Sequence, residues 1–219
     1  MNKLKIGVYA YSTGENSFGV AKNYLDFISQ FGSPKIITPD EYYRDDLDAL
    51  VLVGGADLSP SSYGQYPNFY TSNTDVFKQH VYDNCLPNYV ANGKKILGIC
   101  LGMQQLACYF GSKLTQHLPF HTQSDYDAKP AHDVISDLGT FKVTSTHHQG
   151  VIRNELSDKL EVLAFARNEE YSNVKSKDPL HVDIVEVFKH KDLPIIGVQS
   201  HPERYCEHIL FKMIKNVLS

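Results

Sequence analysis

Apolar residues along this chain fall into short runs that alternate with longer stretches of helical period. Residues 4–11, "LKIGVYAY", form an apolar run of strand length, and 18–32, "FGVAKNYLDFISQFG", carry apolar positions three and four apart before Gly32. "PKIIT" (34–38) and "LDALVLVGG" (47–55) read as strands, the second closing on a glycine pair. Residues 75–93 predict a helix bent or broken near Pro87, "KKILGI" (94–99) a buried strand, and "LGMQQLACYFG" (101–111) a helix closed by Gly111. Strand and helix alternating at this spacing predict an α/β fold with a parallel sheet covered on both faces. Beyond residue 112 the period changes. "TFKVTSTHHQGV" (140–151), "LEVLAFA" (160–166) and "HVDIVEVF" (181–188) read as antiparallel strands or hairpins. "LPIIGVQ" (193–199) returns to a buried strand, and 202–218 predict a C-terminal helix with Pro202 in its first turn. No repeat or linker divides the chain, so residues 1–219 are expected to form a single domain.

Composition narrows the function classes. A net charge of −4 with no basic block argues against nucleic-acid binding and against a membrane-surface role. No apolar run approaches the roughly 20 residues needed to span a bilayer. The first residues, "MNKLKIGVYAYS", carry too short an apolar stretch for an export signal, so a cytoplasmic location and free thiols are expected. The cysteines at 85, 100, 108 and 206 form no CxxC pair. Of the 10 histidines, His117, His121, His132, His147 and His148 raise the question of zinc. Their spacing fits no compact ligand set, and neither metal nor cofactor is expected.

Candidate chemistry centres on "ILGICLGMQQL", residues 96–106. A strand ends at Ile99 and a helix begins near Leu101, which puts Cys100 on a tight strand-to-helix turn between Gly98 and Gly102. This is the nucleophile-elbow arrangement of Gly-x-Ser-x-Gly with cysteine in place of serine. A helix N-terminus also favours a thiolate. A buried structural thiol in a glycine-flanked turn fits the same stretch, and what separates the two is a base. "GVQSHPER" supplies one at the end of the last buried strand: His201 to take the thiol proton, and Glu203 to fix the imidazole tautomer. Alone, His-Pro-Glu is also an ordinary helix start.

"GICLGMQ" followed about 100 residues later by "GVQSHPE" resembles the class I glutamine amidotransferases, and the resemblance runs from about Ile6 to the C-terminus. It implies a flavodoxin-like fold, with a central mostly parallel sheet flanked by helices and a small antiparallel hairpin region. Cys100, His201 and Glu203 fall on that family's Cys-His-Glu triad. "GGADLSPSSYG" (54–64) and "TSTHHQGV" (144–151) are similar to segments of the γ-glutamyl hydrolase branch, with Thr144 where that branch usually has Asn. The backbone N–H groups of Gly55 and Leu101 are the expected oxyanion hole for the tetrahedral intermediate of acyl transfer. By resemblance, Gln104, His147 and Gln149 are expected to bind substrate, while His148 reads as part of a hydrogen-bonded hairpin tip.

The expected activity is therefore cysteine-dependent hydrolysis of the γ-glutamyl amide bond of a small γ-glutamyl compound or of glutamine. Leu101 directly after the cysteine, where the hydrolase branch often has Arg, suits an ammonia-delivering glutaminase that needs a synthase partner chain. A catalytically idle regulatory module on the same fold is the third reading, against which the complete triad speaks. Ser200 stands where the branch often carries an aromatic residue, which suggests an open leaving-group side, with Tyr63 and Tyr66 as partial cover.

Overall fold

A computed structural model describes residues 3–14, 17–118, 121, 130–167 and 183–218. Among the described residues, nine strands form one sheet in the order β4-β1-β5-β6-β11-β10-β9-β7-β8. Its first five members are β4 (Gly32–Ile37), β1 (Leu4–Tyr9), β5 (Ala49–Leu52), β6 (Lys95–Ile99) and β11 (Ile195–Val198), and all are parallel. The central ones are apolar on both faces because both faces are covered. Leu50, Leu52 and Ile96 point into one core, with α3 (Leu86–Ala91) and α4 (Leu101–Tyr109). Ala49, Val51, Leu97 and Ile99 point into the other, with α1 (Lys22–Ile28) and α5 (His208–Leu218). The alternation follows from the two-residue period of a strand. Helix α5 seals its side with Leu210, Met213, Ile214 and Leu218, a spacing that keeps one apolar stripe inward.

The antiparallel strands β10 (Asp183–His190), β9 (Leu160–Arg167), β7 (His132–Ser136) and β8 (Gly139–Val143) extend the same sheet beyond β11. They are the antiparallel region that the resemblance implies, joined to the parallel strands through β11. Strand β8 stops at Val143, and residues 144–151 run as a loop, because their side chains take up hydrogen bonds elsewhere. Residues 181–182 of the predicted "HVDIVEVF" strand lie outside the described residues.

Three helix boundaries differ from the pattern's prediction. Residues 17–19 pair with 11–14 in a small hairpin, β2 (Tyr11–Gly14) with β3 (Ser17–Gly19), which delays α1 to Lys22. Phe18 is part of that hairpin and packs edge-on against Phe77. The 75–93 helix does not break at Pro87. It runs from α2 (Val76–His80) through a π turn, Val81–Cys85, into α3, and this wider turn carries the chain past the prolyl nitrogen, which has no N–H to give. Finally, α5 starts at His208 and not at 202: Arg204 and Tyr205 donate to the His201 carbonyl in a single turn that does not continue into the helix.

Candidate active site

The sheet places two strand ends side by side. Val198 of β11 pairs with Ile99 of β6, so the residues after each leave from the same edge. Cys100 follows β6 at φ 52° and ψ −108°, the single non-glycine residue with positive φ among those described. Such a conformation costs about 1–3 kcal/mol and persists only where its surroundings enforce it. Here the Cys100 N–H donates to Val198 O at 2.8 Å, and the Cys100 carbonyl accepts the Gln104 N–H at 3.1 Å. The flanking glycines are a requirement of packing. A Cβ on Gly98 would stand 2.5 Å from the Gly102 carbonyl oxygen, and one on Gly102 would stand 2.7 Å from Leu52 Cβ. Any side chain at either position would push α4 away from β5 and β6.

His201 faces this turn. Its Nδ1–H donates to Glu203 Oε1 at 2.7 Å, and its backbone N–H donates to Thr144 Oγ1 at 2.9 Å. The Glu203 carboxylate is fully buried. Burial pulls the His201 pKa down, but the Cys100 sulfur, which hydrogen-bonds the imidazole, and Glu203 outweigh it and raise the value to about 9. The arrangement therefore favours an imidazolium next to the sulfur.

The third strand end, after β5, brings Gly54 and Gly55 against the same turn. A Cβ on Gly54 would lie 2.7 Å from His201 Cε1 and 3.4 Å from Cys100 Cβ, and one on Gly55 would lie 3.0 Å from Leu101 Cδ2. The Gly54 N–H donates to Tyr24 OH at 3.1 Å, and that hydroxyl sits 3.4 Å from His201 Nδ1. The Gly54 carbonyl accepts from Lys78 Nζ, whose ammonium also lies 4.6 Å above the Tyr11 ring. Burial lowers the Lys78 pKa, against the pull of Asp75 and Cys100. Neither Gly55 N–H nor Leu101 N–H donates to a protein group among the described residues.

The residues expected to bind substrate are spread more widely. Gln104 is buried, and its Nε2 donates to the Gln149 carbonyl at 2.9 Å and to Gln199 Oε1 at 3.2 Å. Gln199 Nε2 in turn lies 3.7 Å from Cys100 Sγ. Both polar atoms of the Gln149 side chain are buried without a hydrogen-bond partner among the described residues. His147 turns its ring away from this row. Its Nδ1–H donates to the Gln149 carbonyl at 2.8 Å, and its Nε2 lies 3.9 Å from Glu186. Burial lowers the His147 pKa to about 4 despite that carboxylate. His148 leaves the loop to pair with Asp57 at 2.9 Å. Ser200 and Tyr63 are buried, while Tyr66 is exposed.

The sequence profile of the family described as peptidase C26 matches residues 6–203. The chain belongs to the peptidase C26 family. Among its relatives, γ-glutamyl-CDP-amidate hydrolase of Campylobacter jejuni is 28% identical over 163 residues, covering 74% of this chain and 66% of that one. A chain of the glutamine-hydrolysing GMP synthase of Methanothermobacter thermautotrophicus is 27% identical over 181 residues, covering 82% and 77%. The structure of PurLQS from Thermotoga maritima superposes with a TM-score of 0.62 at 17% identity, over 99% of this chain and 100% of that chain, a likeness of fold. A glutamine amidotransferase structure from Thermotoga maritima also superposes, with a TM-score of 0.56 at 14% identity over 100% of this chain and 94% of that chain, again a likeness of fold. No helix among the described residues is long and apolar enough to cross a membrane.

Three residues beside this C26 elbow and its neighbouring loop carry no signature in the sequence pattern. Tyr24 reads as one more apolar position of α1, and Lys78 as a solvated helix position, yet both contact Gly54. Glu186 is hidden in "DIVEVF", where a charge in an apolar run suggests an outward-facing strand position. A lone acid in the middle of a strand bordered by buried residues was the available signal.

Proposed function

We propose that this C26 chain is a hydrolase that uses Cys100 to cleave the γ-glutamyl amide bond of a small γ-glutamyl compound or of glutamine. The observation that carries this reading is the strained Cys100 turn facing an imidazole held by Glu203 at 2.7 Å. His201 takes the Cys100 proton, and the thiolate adds to the γ-carbonyl carbon. The resulting oxyanion lies within reach of the Gly55 and Leu101 N–H groups, which carry no competing bond among the described residues. Collapse of this intermediate breaks the C–N bond, and the imidazolium protonates the departing amine. Water, deprotonated by His201, then adds to the γ-glutamyl thioester and releases glutamate with the thiol restored. Gln104 and the Gln149 amide, which has no hydrogen-bond partner among the described residues, border the row of side chains that leads to Cys100, and they suit the polar α-amino and α-carboxylate end of a glutamyl group.

The test is glutamate release from a panel of γ-glutamyl amides, glutamine included, by the purified chain and by its Cys100→Ala variant. Turnover by the parent and none by the variant is the expected result. Turnover that persists in the variant would overturn the proposal.

A second reading is a glutaminase that delivers ammonia to a separate synthase chain. The match to a chain of GMP synthase favours it, as does the Cys100-Leu101 pair. Activity on glutamine alone, rising strongly when a synthase is added, would select it.

A further inference from the structure

A second polar cluster lies apart from the triad. Glu186 sits in β10 between Val185 and Val187, both fully buried, and its own side chain has no exposed surface. A carboxylate so placed demands compensation. Its Oε1 accepts from His132 Nε2 at 3.2 Å, but its Oε2 is buried with no hydrogen-bond partner among the described residues. His121 Nδ1 is likewise buried and unpartnered among them. His147 completes the group. One ligand atom each from His121, His147 and Glu186 can be chosen so that all lie within 4.8 Å of one another.

We propose that His121, His147 and Glu186 form a structural binding site for a divalent zinc-class ion. Two imidazoles and a carboxylate are a donor set for such ions, which bind them at about 2.0–2.2 Å. Tetrahedral ligation at those lengths places donor atoms about 3.4 Å apart, so rotation of the side chains suffices to close the site. The surroundings match what a ligating histidine needs. The Nδ1–H of His147 donates to the Gln149 carbonyl, which leaves Nε2 with its lone pair toward Glu186. His132 Nε2 donates to Glu186 Oε1, the oxygen that His147 Nε2 also approaches, which leaves Oε2 for the ion, and Ser145 Oγ donates to the His121 carbonyl at 2.6 Å, fixing that residue's backbone. The ligands are buried, and three protein donors leave the fourth tetrahedral position to a water molecule. Such an ion ties β10 and His121 to the 144–151 loop. That loop carries Thr144, which holds the His201 N–H, and Gln149, which holds Gln104. The ion would therefore brace the wall of the elbow without entering its chemistry.

The test uses the full chain, stripped with a chelator and titrated with Zn2+ by calorimetry and with Co2+ by visible absorption. One ion per chain is expected, with the stronger Co2+ bands of a four-coordinate site. His121→Ala should abolish stoichiometric uptake, and His132→Ala, which removes a supporting contact, should weaken it about 10–100-fold. If these variants do not fold, X-ray absorption on the zinc-loaded parent decides. A shell of nitrogen and oxygen only, with two imidazoles, is expected there. No stoichiometric uptake by the parent, unchanged affinity in folded His121→Ala, or sulfur in the zinc shell would each overturn the proposal, the last by pointing to Cys100.

Discussion

Replacing Thr144 by valine removes one oxygen and almost nothing else, and that oxygen accepts the backbone N–H of His201 at 2.9 Å. Both residues are buried, so the freed N–H cannot turn to water. A buried donor left without a partner costs about 1–3 kcal/mol. For a chain of this size each kcal/mol lowers Tm by about 2–4 °C, so the variant should melt about 2–12 °C below the parent. The same N–H sets where His201 stands relative to Cys100, and a misplacement approaching 1 Å can cost about 100-fold. We expect kcat/KM for glutamate release to fall by about 10- to 100-fold. Thr144→Ser supplies the control. It keeps the acceptor and loses one methyl, worth about 0.8 kcal/mol, so its stability should drop slightly while its rate holds. Thermal unfolding and steady-state kinetics on the three proteins separate the two effects. If the valine variant keeps the parent's Tm and rate while the serine variant loses both, packing of the methyl and not the hydrogen bond sets the base, and the reasoning fails.

Cys100→Ser should leave the fold intact and remove hydrolysis, and a thiol alkylator should label Cys100 ahead of the other three, because burial raises the pKa of Cys85, Cys108 and Cys206, that of Cys206 to about 12; peptide mapping after brief labelling checks this. With His201 raised to about 9, the active imidazolium is lost as pH climbs through that value, so kcat/KM should fall on the basic side near pH 9. Glu203→Gln removes a group that raises this pKa, so the basic limb should move to lower pH, read from a kcat/KM profile of both proteins. Lys78→Met removes the ammonium that holds the Gly54 carbonyl; since the next residue supplies a proposed oxyanion donor, kcat should drop by more than KM changes, and an unchanged kcat would free Lys78 of that role.

The parallel half of the sheet was legible because strands covered on both faces read as unbroken apolar runs, as in "ALVL" of β5. Cys100, His201 and Glu203 were legible for a different reason: each sits at the mouth of such a strand, within a few residues of a turn signal. The antiparallel half was harder. Residues 144–151 carry β-favouring types, yet Thr144 and His148 spend their side chains on His201 and Asp57, and no ladder forms where they do so. Helix starts slipped where the chain made other contacts first, in the β2–β3 hairpin ahead of α1 and in the His201–Glu203 pair ahead of α5. The histidines show the limit most clearly. His121, His132 and His147 have no recognisable spacing: the antiparallel pairing of β9 with β7 and β10 brings His132 to Glu186, while His121 and His147 reach the cluster from outside those strands.

One loop joins the two polar centres of this molecule, and the join has a direction. Thr144 opens the loop at the His201 backbone, while His147 and Gln149 close it toward Glu186 and Gln104. The Gln149 carbonyl accepts from both Gln104 and His147, so a shift of the His147 ring is felt at the helix that begins with the elbow. Strain at Cys100 has to be opposed by packing that does not relax, and glycine contacts at 98 and 102 supply that only from the β5 and β6 side. The elbow helix is tied to this loop through Gln104 and the Gln149 carbonyl. Substitutions in the His121–His147–Glu186 cluster should therefore alter the rate through the position of His201, in the same sense as Thr144→Val, and double variants with Thr144→Val should be less than additive.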